Sequence, residues 1–282
     1  MLSSLPVLET NRLIFLNLFA LLMLWCAFFS SFSVTASEPE LKVEAAPNSL
    51  VTLSASVPPF PPFALKNSSI LCQGISKRIL NLIGHQANIH FQYKDYPYAR
   101  ILHSLTAGSL DVALIFKNES VKDVVQYIGP VARSKVVVLS RHPQQLKQYQ
   151  DLQKLNAIAV IRKAQFEAKF DRDEGLNKVS VENYLQGVNM FNAGRVDAVV
   201  GSKEGLEYAM LQLDHDTGLL EQAFYLGDKT WWLHVSEQSQ AQVLAPVLQQ
   251  AVERLPQTDR IYELFEREKS NGCYDLARNK TG

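Results

Sequence analysis

Three cysteines in 282 residues, and no excess of either charge, with 28 basic residues against 28 acidic ones, are the first features of this chain. The neutral balance removes the electrostatic reason to expect nucleic acid, and no basic cluster with interleaved aromatics restores it. Outside residues 13–29 no apolar run approaches the length needed to span a bilayer. The six histidines are scattered, and their one local cluster, Asp214-His215-Asp216, cannot aim three adjacent side chains at one ion; it reads as a solvated loop, and no metal or other cofactor is expected. No spacing pins a Ser-His-Asp or Cys-His arrangement, so no catalytic residue is assigned.

What is present begins with a targeting segment. Arg12 closes a short polar start, Leu13–Phe29 is apolar apart from Asn17, and Val34-Thr35-Ala36 supplies small residues for cleavage. Residues 1–36 are therefore expected to be a signal peptide removed after Ala36, the alternative being an uncleaved anchor. The mature chain keeps Cys72 and Cys273, is long enough for two domains, and is expected outside the cytoplasm, soluble or tethered only by its N-terminus.

Two stretches repeat one pattern. Ala107-Gly108-Ser109-Leu110-Asp111-Val112-Ala113-Leu114 and Ala193-Gly194-Arg195-Val196-Asp197-Ala198-Val199-Val200 each follow an amphipathic segment. In each, a Gly stands where a helix end wants positive φ, and an Asp precedes a short apolar run. The copies lie 86 residues apart, beyond the periods of solenoids, so one αβ unit in each of two lobes is expected. Asp111 and Asp197 each sit in a helix-to-strand turn and read as capping residues rather than an acid/base pair.

Taken in order, Leu50–Ser56 predicts a buried strand ended by the prolines of Val57–Phe63. Phe60 and Phe63 then sit on a stiff loop after a strand, where an open α/β sheet binds its ligand, or they plug a core. Gly74–Gly84 predicts a short helix closed by Gly84, Ile89–Tyr93 a second strand, and Pro97 the start of the helix leading to Gly108. Val136–Leu139 and Ala157–Ile161 predict strands separated by a polar passage. Lys229–Ser236 predicts a returning strand with Trp231 and Trp232 on opposite faces. The stripe Val243, Leu244, Val247, Leu248, Ala251, Val252 and Leu255 predicts a helix that Pro246 starts or kinks, and a last helix holds Ile261, Leu264 and Phe265 before Gly272.

This order of parts resembles the periplasmic solute-binding proteins of the amino-acid-binding type, from about Leu50 to Gly272. The residues that carry the likeness are Pro61-Pro62-Phe63, Gly74, Leu105-x-x-Gly108-x-x-Asp111, Tyr127-Ile128-Gly129-Pro130 in place of an aromatic-Ser-x-Pro turn, and Gly194-Arg195-Val196-Asp197-Ala198. The resemblance implies an α/β fold of periplasmic binding protein type 2, with two lobes, each a mixed sheet flanked by helices, and a two-strand hinge near 134–140 and 229–236. Lobe 1 would comprise 37–140 plus 230–282, and lobe 2 residues 141–229. It also implies a monomeric binding protein that closes on a small polar or anionic solute and presents it to an ABC transporter or a membrane sensor. The alternatives are a dehydratase-like enzyme on the same fold, with Glu119 and Glu204 as its acid candidates, and a lobe pair that signals without a solute.

Three handles for a free α-amino acid are altered. The loop after the Asp111 strand has Lys117 and Lys122 but no Arg, Lys163-Ala164-Gln165 replaces a Gly-Thr or Gly-Ser turn, and Ser202 stands where an Asp would take the ammonium. The ligand-binding candidates are Phe60, Phe63, Arg100, Phe116, Lys117, Arg162, Lys163, Gln165, Ser202 and Trp231. The resemblance finally returns the last helix to the lobe that holds Cys72, which makes a Cys72–Cys273 bridge an expectation beside two separately buried thiols.

Overall fold

The computed structural model describes residues 50–65, 72–255 and 260–274. The expected signal peptide, the lead-in 37–49 and the tail after Tyr274 lie outside the described residues.

Short apolar runs make two parallel trios of strands. β1 (Val51–Ser56), β2 (Ile89–Tyr93) and β3 (Val112–Phe116) lie in the order β2-β1-β3, and β5 (Ile158–Ile161), β6 (Lys178–Val181) and β7 (Ala198–Ser202) in the order β6-β5-β7. β3 and β7 are buried at all five positions, as strands covered on both faces must be. Between the trios run two long strands, β4 (Val125–Ser140) and β8 (Phe224–Ser236), antiparallel to each other from Val125/Ser236 to Val138/Phe224. The eight strands thus read β2-β1-β3-β8-β4-β7-β5-β6. This is the two-lobe α/β arrangement, with β4 and β8 as the crossing pair.

The repeated pattern occupies equivalent places in the two halves. α2 (Tyr98–Thr106) reaches β3 through Gly108 at φ 68°, and α4 (Tyr184–Asn192) reaches β7 through Gly194 at φ 71°. Each motif Asp then ties its strand to the neighbouring one. Asp111 Oδ2 accepts from Ser54 N and Ser54 Oγ of β1, both at 2.7 Å, and Oδ1 accepts from Ser239 Oγ. Asp197 Oδ2 accepts from Asn156 N and Ala157 N just ahead of β5. The carboxylates satisfy backbone donors at strand ends, which is structural work of the kind expected, though done between strands rather than at a helix cap.

Three local expectations need correcting, and several elements were not expected at all. The first helix, α1 (Ile75–Ala87), runs past Gly84 and stops at Asn88 in the left-handed region. Gly84 is instead a close-approach position, since a Cβ there would lie 2.6 Å from Ile89 O of β2. Tyr127–Pro130 is no turn but part of β4, whose register slips between Tyr127 and Gly129 and again between Pro130 and Ala132. α3 (Ala168–Arg172), β6, α5 (Lys203–Gln212) and α6 (Gly218–Glu221) were not anticipated. In α7 (Ala245–Glu253) Pro246 occupies the first turn and Leu248, Ala251 and Val252 are buried, but Val243 and Val247 of the same stripe are exposed.

α8 (Arg260–Ser270) buries Ile261 and Phe265, and Gly272 follows at φ 72°. The chain then turns Cys273 back onto Cys72, and the two are disulfide-bonded with Cα atoms 5.3 Å apart. Beside the bridge Glu268 of α8 is wholly buried, accepting from Tyr274 Oη at 2.8 Å and facing Arg78 of α1 at 3.6 Å.

Candidate functional site

The loop after β1 is fixed before any side chain of the site is placed. Ile75 N donates to Pro62 O at 2.9 Å and Ser76 N to Phe63 O at 3.0 Å, so loop carbonyls satisfy the first N–H groups of α1. Gly74, at φ 94°, lets the two segments approach, since a Cβ there would lie 2.7 Å from Ala64 Cα. Phe60 and Phe63 are thereby held edge to face, 6.0 Å between ring centroids.

β3 and β8 supply the floor. Phe116 and Trp231 are register partners, and their rings meet at 4.4 Å, with Phe63 on the other side of Trp231 at 4.7 Å. Trp231 is buried and donates from Nε1 to Ser134 Oγ of β4 at 2.9 Å, while Trp232 on the opposite face is half-buried.

The far wall comes from the other half of the sheet. Tyr184, first residue of α4, lies between Gly201 and Gly205; a Cβ on either would fall 2.1 or 2.2 Å from its ring. Its hydroxyl accepts from Ser202 N at 3.1 Å, and its ring meets Phe60 edge to face at 5.4 Å. Burial pushes the Tyr184 hydroxyl up to about 12. Tyr98, Phe166, Ile161 and Ala164 complete the lining, and the space left among these side chains is about 20 Å³. That is near the size of a single water. Of the two hydroxyls, that of Tyr98 is buried beside the Asn118 side chain, and its pKa is also raised, chiefly by burial.

Two hydrogen bonds close the mouth above this cluster. Asn118 Nδ2 donates to Lys163 O at 2.8 Å, and Glu119 N donates to Gln165 Oε1 at 2.7 Å. Lys163 holds φ 63°, which turns its carbonyl toward Asn118.

Of the residues expected at the site, the structure brings Phe60, Phe63, Phe116 and Trp231 together, with Lys163 and Gln165 at the mouth. Ser202 serves as N-cap of α5, accepting from Gly205 N, and touches the site through Tyr184. Three of the cationic candidates are held elsewhere. Arg100 stacks on the Tyr96 ring, Lys117 Nζ lies 3.6 Å over the Trp232 ring, and Arg162 pairs with Glu182. Sequence reasoning missed Tyr98, Phe166 and Tyr184. The signal for Tyr184 was in plain view: Gly201 and Gly205 flank a helix start, and glycines so placed make room for a neighbour.

The two αβ units meet across this cluster, and the model of one family matches the chain over residues 53–268, most of its length. The chain belongs to the bacterial extracellular solute-binding proteins, family 3. Solved structures similar to this family 3 protein include an ancestral arginine-binding protein bound to arginine, with a TM-score of 0.61 at 19% identity over 77% of this chain and 97% of that one. The substrate-binding protein of an amino acid ABC transporter gives 0.59 at 16% identity, over 77% and 98%. The VFT2 domain of Bordetella pertussis BvgS, in a double-mutant form, gives 0.60 at 19% identity, over 77% and 92%. At these identities the likeness is one of fold. A comparison with curated proteins gives no match.

Proposed function

We propose that this family 3 protein is an exported, monomeric receptor whose lobes, residues 37–140 plus 230–282 and residues 141–229, close on a small solute with a flat, apolar body and one polar group. The closed form would be read by a membrane partner, an ABC transporter permease or a sensor. Export would follow cleavage after Ala36. The observation that carries this reading is the composition of the cleft: Phe60, Phe63, Phe116 and Trp231 on one side face Tyr184 on the other. Such a cage stacks on an apolar ring and offers no desolvated charge to a bare anion. Tyr98 Oη, buried beside the Asn118 side chain, is the natural partner for the solute's polar group. Entry requires Tyr184 and Phe60 to part, which couples binding to lobe rotation about β4 and β8.

A second reading is favoured by one number. The roughly 20 Å³ that remains lets the aromatic side chains satisfy one another, as in a lobe pair that stays shut and signals without a solute. One experiment separates the two. Protein purified from the periplasm is denatured and its small-molecule extract analysed by mass spectrometry, with a Tyr184→Ala protein alongside. A stoichiometric aromatic or heteroaromatic compound in the first extract supports solute binding; its consistent lack, together with unchanged scattering curves across a panel of aromatic solutes, supports the solute-free reading.

A further inference from the structure

A cavity much larger than the space left in the cleft lies behind the crossing strands. It measures about 530 Å³ and is lined by Arg133, Ser134 and Lys135 of β4, Asp228 of β8, Lys203 and Glu204 of α5, and Tyr262 of α8. Its walls thus come from both crossing strands and from helices of both halves of the sheet.

Glu204 marks this cavity as a site. The side chain is 3% exposed, and its Oε2 has no hydrogen-bond partner. A buried carboxyl oxygen left unpaired costs more than a hydrogen bond ordinarily returns, so a donor brought by a ligand is strongly favoured there. Burial pushes the Glu204 carboxyl up to about 7; the Ser134 hydroxyl and Lys203 work against that shift, while Glu207 adds to it. Lys203 is already engaged by Glu221 at 2.9 Å, and Glu207 by Lys269 at 2.8 Å. Across the β4/β8 ladder Lys135 faces Asp228, whereas Arg133 faces Thr230. The cavity therefore combines one buried acceptor with an exposed guanidinium whose ladder partner carries no charge.

We propose that the cavity behind the crossing strands is a second ligand site, for a small zwitterion whose ammonium meets Glu204 and whose carboxylate meets Arg133. A simple cation would leave the exposed Arg133 guanidinium unmatched, and a simple anion would leave Oε2 of Glu204 unpaired. An ammonium at Glu204 favours the ionised carboxylate, so binding near neutral pH expels a proton. The site is also wired to the cleft, because Ser134 beside Glu204 accepts the Trp231 indole N–H.

The test is calorimetry of the whole mature protein with glycine, β-alanine, 4-aminobutanoate and 6-aminohexanoate, a series that varies the span between the two charges. Butylamine and butanoate serve as half-molecule controls. One or more of the series is expected to bind one to one, more tightly than either half, with proton release detected in buffers of different ionisation enthalpy and weaker binding at about pH 6 than at about pH 8. Glu204→Gln, nearly isosteric with the protonated acid, is expected to weaken binding about tenfold and abolish proton release, and the exposed Arg133→Ala to weaken it about tenfold. Phe60→Ala, in the cleft on the loop after β1, is expected to leave the affinity unchanged. No heat from any member up to about 10 mM would overturn the proposal. So would binding that ignores Glu204→Gln and Arg133→Ala but is lost in Phe60→Ala, which would place the zwitterion between the lobes instead.

Discussion

At the scale of single residues, Tyr184 has more of the cleft resting on it than any charged group. Its ring fills the gap that Gly201 and Gly205 leave, and it is the aromatic contact of α4 with Phe60. Tyr184→Ala should cost about 3 to 5 kcal/mol, the range for deleting a large buried ring, measured by urea unfolding. Gly201→Ala tests the same packing from the other side. Its Cβ would meet the ring at 2.1 Å, so the ring must move, and a loss of about 1 to 3 kcal/mol is expected. Asp111 makes a contrasting case. Asp111→Ala strips the acceptor from Ser54 N, Ser54 Oγ and Ser239 Oγ, and should lower stability by about 1.5 to 3 kcal/mol while leaving solute affinity unchanged. A variant with normal stability and altered affinity would return Asp111 to the binding site.

At the scale of elements, α5 carries a pH dependence. Glu204 has its pKa raised in the fold from 4.5 to about 7, chiefly by burial. Between those values the native state holds a proton that the unfolded chain has lost. The contribution of Glu204 to stability is therefore fully present below about pH 4.5 and is lost as pH rises through about 7, by up to about 3 kcal/mol. Glu204→Gln should flatten that slope and make the protein more stable than wild type at about pH 8, as thermal unfolding across pH would show. Elements also show what the sequence could and could not disclose. The helix-Gly-Asp-strand units were legible because positive φ and a buried apolar run each leave a residue-level mark, and β4 and β8 were legible in their β-branched and aromatic cores. The half-buried, polar β6 (Lys-Val-Ser-Val) and the weakly amphipathic α5 leave no such mark. Their places are set by neighbours: β6 by pairing with β5, and α5 by Tyr184 and the Ser202 cap. The site was half legible for the same reason. Aromatics on the proline loop and in β3 and β8 announce themselves, while which cations reach the cleft is decided by partners such as Glu182 and Trp232 that lie far away in sequence.

At the scale of the whole molecule, Cys72–Cys273 decides how firmly the chain's end is returned to its beginning. The bridge closes a separation of 201 residues and fastens the turn after α8 to the segment ahead of α1, beside the buried Arg78–Glu268–Tyr274 group. In the chain-entropy description a loop of that size contributes about 5 kcal/mol, by limiting the unfolded chain rather than by improving the folded one. The crossing strands β4 and β8 lie outside that contact, so the bond should stabilise the fold without restraining lobe rotation. Reduction with a thiol, or Cys72→Ser with Cys273→Ser, should therefore lower the unfolding midpoint in denaturant and leave the scattering change on ligand binding intact. Thiol titration of denatured, unreduced protein from the periplasm checks the premise first. Two free thiols per mature chain would show that the bridge does not form in the cell, and a double variant as stable as wild type would show that it forms without contributing. A bridged protein that loses both stability and lobe closure on reduction would instead make the α8 attachment part of the moving machinery.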